Sequence, residues 1–195
     1  MSPKTTSSPD RRVALLETAF STFLRFGFRK TSMDDIAREA EISRQALYDY
    51  FRDKESLFRE AMQSGLDSAM ADVERVLADG DVQIGERLVR ALDEWTGRHL
   101  EKLGTDGTDL GEAGRAVIGT MFAEYGATFE RKLSRAIADS PLAAACKAAR
   151  VTPLQLAQTL YACARGWKYQ VKSRAEFVDR MDVAVHALLP RGKTT

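Results

Sequence analysis

Apolar residues recur at every third or fourth position along most of the chain, and this spacing is typical of amphipathic α-helices. The first such stretch runs from Arg11 to Gly27, because a glycine commonly terminates a helix. Three further helices are predicted up to Ala61, the last extending toward Leu77. The residues expected to open these four helices are Asp10, then Thr31 or Ser32, then Ser43, and then Asp53.

The rest of the chain repeats the helical pattern and lacks the alternation typical of β-strands, so the sequence predicts an all-α fold. Residues 1–9, rich in Ser, Thr and Pro, are expected to form a disordered tail. The glycine-rich segment 104–114 is expected to be a loop. The later helices are predicted at 83–103, at 115–138 with an interruption near Gly126, from Pro141, at 153–171 and at 176–189.

Composition agrees with a folded protein and excludes several classes. The 195 residues are 44% apolar and 29% charged, with a net charge of +1. No apolar run approaches the roughly 18 residues of a membrane helix, and the polar start lacks the apolar centre of a signal peptide. We therefore expect a cytoplasmic protein with no membrane partner. The two cysteines and two histidines lack the spacing of ligands, so no metal and no cofactor are expected.

Residues 31–51, TSMDDIAREAEISRQALYDYF, combine two short helical stretches with a tight turn between them. This arrangement is typical of a helix-turn-helix, whose second helix enters the DNA major groove. In that second helix Leu47 and Phe51 form an inward stripe, while another face carries Arg44, Gln45 and Tyr48. Arginine can bind guanine, glutamine can bind adenine, and tyrosine can contact a thymine methyl or a phosphate.

The starts of these helices are candidate phosphate contacts, because free N–H groups and the positive end of the helix dipole attract anions. Ser43 precedes the second helix of the motif, Thr31 and Ser32 precede the first, and Lys54 begins the next helix. Taken alone, the side chains of Arg44, Gln45 and Tyr48 would more commonly be part of an ordinary solvated surface. The prediction of DNA binding therefore rests on the whole pattern.

Residues 11–62 carry a set of short motifs in a fixed order. They are A-x-x-x-F-x-x-F-G at 19–27, T-S-M-D-D-I-A at 31–37, I-S-R at 42–44, L-Y-x-Y-F at 47–51 and K-E-x-L at 54–57. With these motifs, the region resembles the tetracycline-repressor (TetR) family of bacterial regulators. The resemblance implies a homodimer that binds a palindromic operator, with a helical effector domain behind the DNA-binding domain. It implies DNA contacts from Thr31, Ser32, Arg44, Gln45, Tyr48, Tyr50 and Lys54.

Three positions depart from the family pattern. Glu41 stands in the turn where the family usually has glycine, and a positive φ there would cost about 1 kcal/mol. Arg52 replaces a common proline and adds a candidate phosphate contact. Asp49 is acidic on the helix expected to meet DNA, and it would lie at the edge or accept from a cytosine amine.

The predicted organisation is a tail at 1–9, an N-terminal three-helix DNA-binding bundle with the helix-turn-helix at 10–62, and a larger helical ligand-binding and dimerisation domain at 63–195. The resemblance motivates an effector cavity in the larger domain, for which we take Trp95, His99, Phe122 and Tyr125 as candidate lining residues. Two apolar stripes near the C-terminus are candidates for the dimer interface, although packing inside the protomer is the alternative. The interface candidates are Leu154, Leu160, Tyr161, Ala164, Met181, Val185 and Leu188.

Three functions follow as hypotheses. The leading one is a ligand-responsive DNA-binding regulator, expected to be a repressor, that a small apolar or aromatic effector releases from its operator. The second is a DNA-binding protein of the same fold without a small-molecule effector. The third is an enzyme in the helical body, which the absence of paired acids, of a nucleophile with its base, and of metal ligands disfavours. We therefore expect a protein that is not an enzyme.

Overall fold

The computed structural model describes residues 9–100 and 116–188, and these two stretches contain helices and no strand. The predicted all-α fold class is therefore confirmed. The tail predicted at 1–9, apart from Pro9, and the loop predicted at 104–114 lie outside the described residues. The helices are α1 (Pro9–Phe26), α2 (Met33–Glu39), α3 (Arg44–Tyr48), α4 (Lys54–Ala78), α5 (Ile84–Leu92), α6 (Met121–Ala138), α7 (Leu142–Ala149), α8 (Pro153–Trp167) and α9 (Arg174–Leu188).

Several helix limits differ from the sequence prediction. Helix α1 begins at Pro9, so Asp10 lies in its first turn and is not its N-cap. The interruption expected near Gly126 is instead at Gly119, whose φ of 54° ends a short helical segment just before α6. Helix α6 continues through Gly126, which is buried. Helix α8 ends at Trp167, four residues before the predicted Val171.

The described residues divide into two compact units. The first comprises residues 9–67 together with 116–122, and the second comprises residues 68–100 together with 123–188. The segment 116–122 was not expected in the first unit. Its Ile118 is buried in the same apolar cluster as Leu15, Ile36 and Phe58, with Val117 and Met121 packed against that cluster.

The core of the first unit is rich in phenylalanine. Phe23 and Phe58 meet edge to face, with ring centroids 4.8 Å apart, and Phe28 lies 4.7 Å from Phe58. Gly27 makes this arrangement accessible because its φ of 82° ends α1 and reverses the chain, so that Phe28 folds back beside Phe23. Helices α1 and α4 are thereby joined by apolar contacts on which α2 and α3 also pack.

The core of the second unit is formed by α5, α8 and α9 together with parts of α4, α6 and α7. A π-helical turn, Asp93–Gly97, continues α5, and its wider winding is recorded by the hydrogen bond from the Arg98 N–H to the Asp93 carbonyl. Asp93 accepts a bidentate ion pair from Arg174 at the start of α9, with the shortest N–O distance at 2.7 Å. A side chain at Gly97 would collide with Asp93 and Phe177, so the turn requires glycine there.

The described residues contain no helix that is both long and apolar enough to cross a membrane.

The turn between α2 and α3 is a Schellman motif. The N–H of Ile42 donates to the carbonyl of Ala37 at 2.9 Å, and the N–H of Glu41 donates to that of Arg38 at 3.1 Å. Glu41 has a φ of 53°, the left-handed conformation that glycine adopts without penalty. The positive φ that the family pattern suggested for this position is thus present, and it is adopted by a glutamate instead of a glycine.

We expect Glu41→Gly to stabilise the protein. Removing the Cβ relieves the left-handed strain, which outweighs the added freedom of glycine in the unfolded chain, and the net gain should be about 0.5–1 kcal/mol. The matched control is Glu39→Gly, two residues earlier within α2, which should destabilise the protein by about 1 kcal/mol. Denaturant unfolding measures both, and equal destabilisation by the two substitutions would contradict the strain at Glu41.

Candidate nucleic-acid interface

Helix α2 is fixed at its start by a reciprocal cap. The Asp35 N–H donates to Ser32 Oγ at 3.2 Å, and the Ser32 N–H donates to Asp35 Oδ2 at 2.9 Å. The bonds from the Ser32 side chain and backbone hold the pKa of Asp35 below its ordinary value. Met33, Ile36 and Ala37 are buried, so this short helix has one face in the core and a polar face outside.

Helix α3 presents the side chains that the sequence analysis assigned to base contacts. Ser43 caps it by accepting the Ala46 N–H at 3.1 Å. Leu47 is fully buried and Phe51 is 2% exposed, which confirms the inward stripe predicted for the second helix of the motif. The opposite side carries three exposed side chains, Arg44, Gln45 and Tyr48. These three side chains form what we call the recognition face.

The cation of the recognition face is held by two neighbours. Arg44 Nη1 lies 3.1 Å from Asp34 Oδ2, on α2, and the guanidinium lies 5.5 Å from the centre of the Tyr48 ring. Tyr48 and the charge of Asp34 raise the pKa of Arg44 above its ordinary value. Gln45 Nε2 lies 3.4 Å from Asp49 Oδ1, so the acidic residue that departed from the expected pattern contacts a second member of the face.

The start of α4, which follows α3 in the chain, adds a second set of charges. Lys54 Nζ donates to the carbonyl of Phe28 at 3.0 Å and lies 4.3 Å from the centre of its ring. This contact fixes the ammonium at the helix start and leaves donors of the group for an anion. Arg52 pairs with Asp53 at 2.8 Å, and its side chain is 89% exposed.

Two of the predicted DNA contacts are placed less favourably. Thr31 is only 2% exposed, and its hydroxyl donates to the Gly27 carbonyl at 2.7 Å. Its side chain therefore stabilises the turn before α2, and its hydroxyl is not available to bind a phosphate. Tyr50 is half-buried, with its ring 6.3 Å from that of Phe51. Ser32 and Ser43 are exposed, although both hydroxyls serve as helix caps.

The candidate effector residues are divided between the two units. Phe122 belongs to the first unit, whereas Trp95, His99 and Tyr125 belong to the second. Trp95 stacks on Phe129 with centroids 5.1 Å apart, and its Nε1 donates to the hydroxyl of Tyr161 at 3.2 Å. Phe129 and Tyr161 were not among the predicted lining residues. The sequence analysis gave Phe129 no role and took Tyr161 as a candidate for the dimer interface, and only the fold brings them to Trp95.

The candidate dimer residues are divided between core and surface. Leu160, Ala164, Met181 and Val185 are fully buried within the protomer, which favours the alternative of packing inside the protomer for these four. Tyr161 is half-buried and bonded to Trp95. Leu154 and Leu188 are each 41% exposed and remain candidates. The outward face of α9 also carries Val183, which is 67% exposed and was not predicted, because the stripe analysis selected the opposite face.

Comparison with known proteins finds its family match in the same part of the chain as this site. Residues 15–61 match the family model described as bacterial regulatory proteins, tetR family. The chain is 39% identical over 77 residues to the helix-turn-helix-type transcriptional regulator YfiR of Bacillus subtilis (strain 168), covering 38% of each protein. It is 34% identical over 76 residues to the repressor KstR2 of Rhodococcus jostii (strain RHA1), covering 39% of this chain and 37% of that one. These matches thus span less than two fifths of either relative.

Solved structures match over nearly the whole chain. The reduced form of NemR from E. coli has a TM-score of 0.70 at 21% identity, covering 95% of this chain and 100% of that one. AibR, solved in complex with isovaleryl coenzyme A and operator DNA, has a TM-score of 0.64 at 20% identity, covering 92% and 98%. At this level of identity the likeness establishes the fold.

Asp53 caps the start of α4 and so fixes the helix turn that carries Lys54. Its Oδ1 accepts the Ser56 N–H at 2.8 Å, and the Ser56 hydroxyl accepts the Asp53 N–H at 3.2 Å. The Ser56 backbone bond, followed by the bond from Arg52, lowers the pKa of Asp53 from its ordinary value of 3.8 to about 2.

This pKa predicts a pH-dependent cap. A carboxyl whose pKa is lower in the folded state stabilises that state above its unfolded pKa, and the contribution is lost as the pH falls through the folded pKa. The stability difference between the wild type and Asp53→Asn should therefore be full above about pH 4 and shrink toward pH 2. Urea unfolding across this range measures it. Glu55→Gln removes a carboxylate from the same turn without touching the cap, and an identical profile for both variants would contradict the assignment.

Proposed function

We propose that this chain, whose residues 15–61 match the model of the tetR family of bacterial regulatory proteins, is a transcriptional regulator that binds a palindromic operator as a homodimer through its helix-turn-helix. The observation that carries the proposal is the recognition face. Arg44, Gln45 and Tyr48 project from a helix whose opposite side is anchored by Leu47 and Phe51. A helix of this kind fits the major groove with its polar side chains against base edges.

Each contact has a proposed role. Arg44 reads guanine, Gln45 reads adenine, and Tyr48 contacts a thymine methyl or a phosphate. Lys54 and the exposed caps Ser32 and Ser43 contact the phosphate backbone, which fixes the register of the helix without reading sequence. Tyr50 and Arg52 are secondary candidates at the edge of this surface. The hydroxyl of Thr31 is excluded from the proposed contacts because it is buried and bonded to Gly27.

The proposal includes an effector that releases the protein from DNA. AibR, a protein of similar fold, was solved with both isovaleryl coenzyme A and operator DNA, which supports a ligand-responsive protein of this architecture. The candidate region in this chain is the aromatic cluster of Trp95, Phe129 and Tyr161, with Tyr125 packed against the same core. A ligand with higher affinity for the state that does not bind DNA would shift the population away from the operator.

A regulator without a small-molecule effector is the competing proposal. Two measurements separate these proposals. Native mass spectrometry of the purified protein detects a co-purified small molecule. When that molecule is added back to the stripped protein, binding near Trp95 should quench or shift the tryptophan emission. Loss of operator affinity upon that addition supports the effector. No bound species, together with operator affinity that a library of metabolites leaves unchanged, favours the second proposal.

The homodimer is proposed to form through the outward faces of α8 and α9. Leu154, Val183 and Leu188 are exposed apolar side chains on these two helices, and Ala162 and Gly166 leave the outward side of α8 free of bulk. A two-fold axis makes such a surface complementary to itself. It also places two recognition helices on half-sites separated by one helical turn of DNA or more, roughly 34–36 Å or greater.

We expect Arg44→Ala and Lys54→Ala to weaken DNA binding in different ways. Arg44→Ala should cost about 1–3 kcal/mol per half-site and relax the consensus at one base pair, because a base contact is lost. Lys54→Ala should weaken operator and random DNA about equally and make log K less dependent on log salt, because a phosphate contact is lost. Binding-site selection followed by salt titration measures both effects. An unchanged consensus with Arg44→Ala would refute the base contact.

We expect Val183→Asp to dissociate the dimer and leave the protomer folded. The aspartate would be desolvated against the partner surface, whereas in the free protomer it remains in water. The mass measured by light scattering should fall from about twice 21.7 kDa to 21.7 kDa, and the helical circular dichroism signal should be retained. Val13→Asp, on the exposed side of α1, is the matched control and should remain dimeric. Leu160→Asp is uninformative for the interface, since that side chain is in the core. A dimeric Val183→Asp would place the interface elsewhere.

A further inference from the structure

The guanidinium proposed to read a base is already bound to a carboxylate in the DNA-free protein. Arg44 is the first residue of α3, and its Nη1 lies 3.1 Å from Oδ2 of Asp34, the second residue of α2. The contact crosses the turn of the helix-turn-helix, between positions ten residues apart. Both side chains are at least half exposed, at 62% and 50%, so the pair lies on the surface that would face DNA.

Asp34 differs in this respect from its neighbour in sequence. The carboxylate of Asp35 accepts from the Ser32 backbone and hydroxyl at 2.9 and 2.6 Å, and it pairs with Arg38 on its own helix. Asp35 therefore has a structural task at the start of α2. The carboxylate of Asp34 is directed instead to the recognition helix, where it meets a residue with a proposed role in base contact.

We propose that Asp34 is a specificity-determining residue, which positions Arg44 for a base edge and lowers the affinity of the protein for non-specific DNA. This inference rests on the proposed function, since it concerns the same surface. Asp34 acts through Arg44 and is a positioning residue, without a base contact of its own.

The positioning effect follows from the donors of the guanidinium. Arginine has five N–H donors in a planar fork, and Asp34 occupies a donor on Nη1 while others stay available for guanine O6 and N7. A long side chain loses rotamer freedom when it binds, and the contacts with Asp34 and Tyr48 restrict that freedom beforehand. Without Asp34 the Arg44 side chain is free to bind the nearest phosphate, which adds affinity for any DNA but does not discriminate between base sequences.

The effect on non-specific binding follows from charge. Phosphate attraction supplies essentially all of the affinity for random DNA, so a carboxylate on the binding surface weakens that mode directly. At the operator the same carboxylate also orients Arg44, and this gain offsets part of the repulsion. Asp34 therefore widens the difference between the two affinities, and specificity is that difference.

The test compares Asp34→Asn with Glu39→Gln in the full-length protein. Both remove one negative charge from α2 at nearly constant volume. Glu39 is exposed on the same helix, and among the described contacts Arg44 pairs with Asp34 and Tyr48, not with Glu39. Each protein is titrated against its selected operator duplex and against a random duplex of the same length. The readout is the ratio of the two affinities at one salt concentration.

For Asp34→Asn we expect random-DNA affinity to rise and the specificity ratio to fall by about three- to tenfold, which lies within the span expected for one exposed ion pair in each of two protomers. Glu39→Gln should alter both affinities by a similar factor and leave the ratio within about twofold. A ratio that Asp34→Asn leaves unchanged, or changes no more than Glu39→Gln does, would overturn the inference.

A second comparison tests whether Asp34 acts through Arg44. In the Arg44→Ala background the carboxylate has no guanidinium to position, so Asp34→Asn should no longer lower the ratio. A fall of equal size in that background would overturn the positioning role. These outcomes are distinct from failure of the proposed function, which would appear earlier as a wild-type protein that selects no operator from random DNA.

Discussion

The burial of Leu47 and Phe51 in the core of the first unit determines how α3 is oriented. The helix has five residues, a length at which isolated helices do not persist in water, so tertiary contacts must hold it. Leu47 lies within the helix and Phe51 just beyond it, and the guanidinium of Arg12 lies 4.6 Å from the centre of the Phe51 ring. Because these two anchors are four residues apart, they fix the rotation of the helix about its axis. The outward direction of Arg44, Gln45 and Tyr48 follows from that rotation.

Features that depend on nearby residues were predictable from the sequence. The caps at Ser32, Ser43 and Asp53 each involve a partner three residues away, and residue type with spacing was sufficient to predict them. The conformation of Glu41 followed from the family pattern, since glycine is usual at that position. The limits of several helices were less accurate, because fraying and local breaks such as Gly119 depend on packing that the periodicity does not contain.

Features that depend on distant residues were not predictable in this way. The ammonium of Lys54 donates to the carbonyl of Phe28, 26 residues earlier, and no spacing in the sequence marks that pair. In the second unit, an apolar stripe shows that a helix has a covered face but not what covers it. Leu160 and Met181 were assigned to a partner protomer on that pattern, and their own core covers them. The same limit applies to Trp95, whose aromatic neighbours come from α6 and α8.

The π-helical turn at Asp93–Gly97 has a consequence for how the length of the chain can change. A π turn closes its hydrogen bond over five residues, as between Arg98 and Asp93, and so contains one residue more than the α-helical turn it replaces. Deleting one residue here can be absorbed by rewinding the turn as α-helix, and the faces before and after it stay aligned. A deletion within α5 would rotate everything downstream by about 100°. Homologues one residue shorter at this point would therefore keep the buried faces on both sides, but would give up the local geometry that joins Asp93 to Arg174.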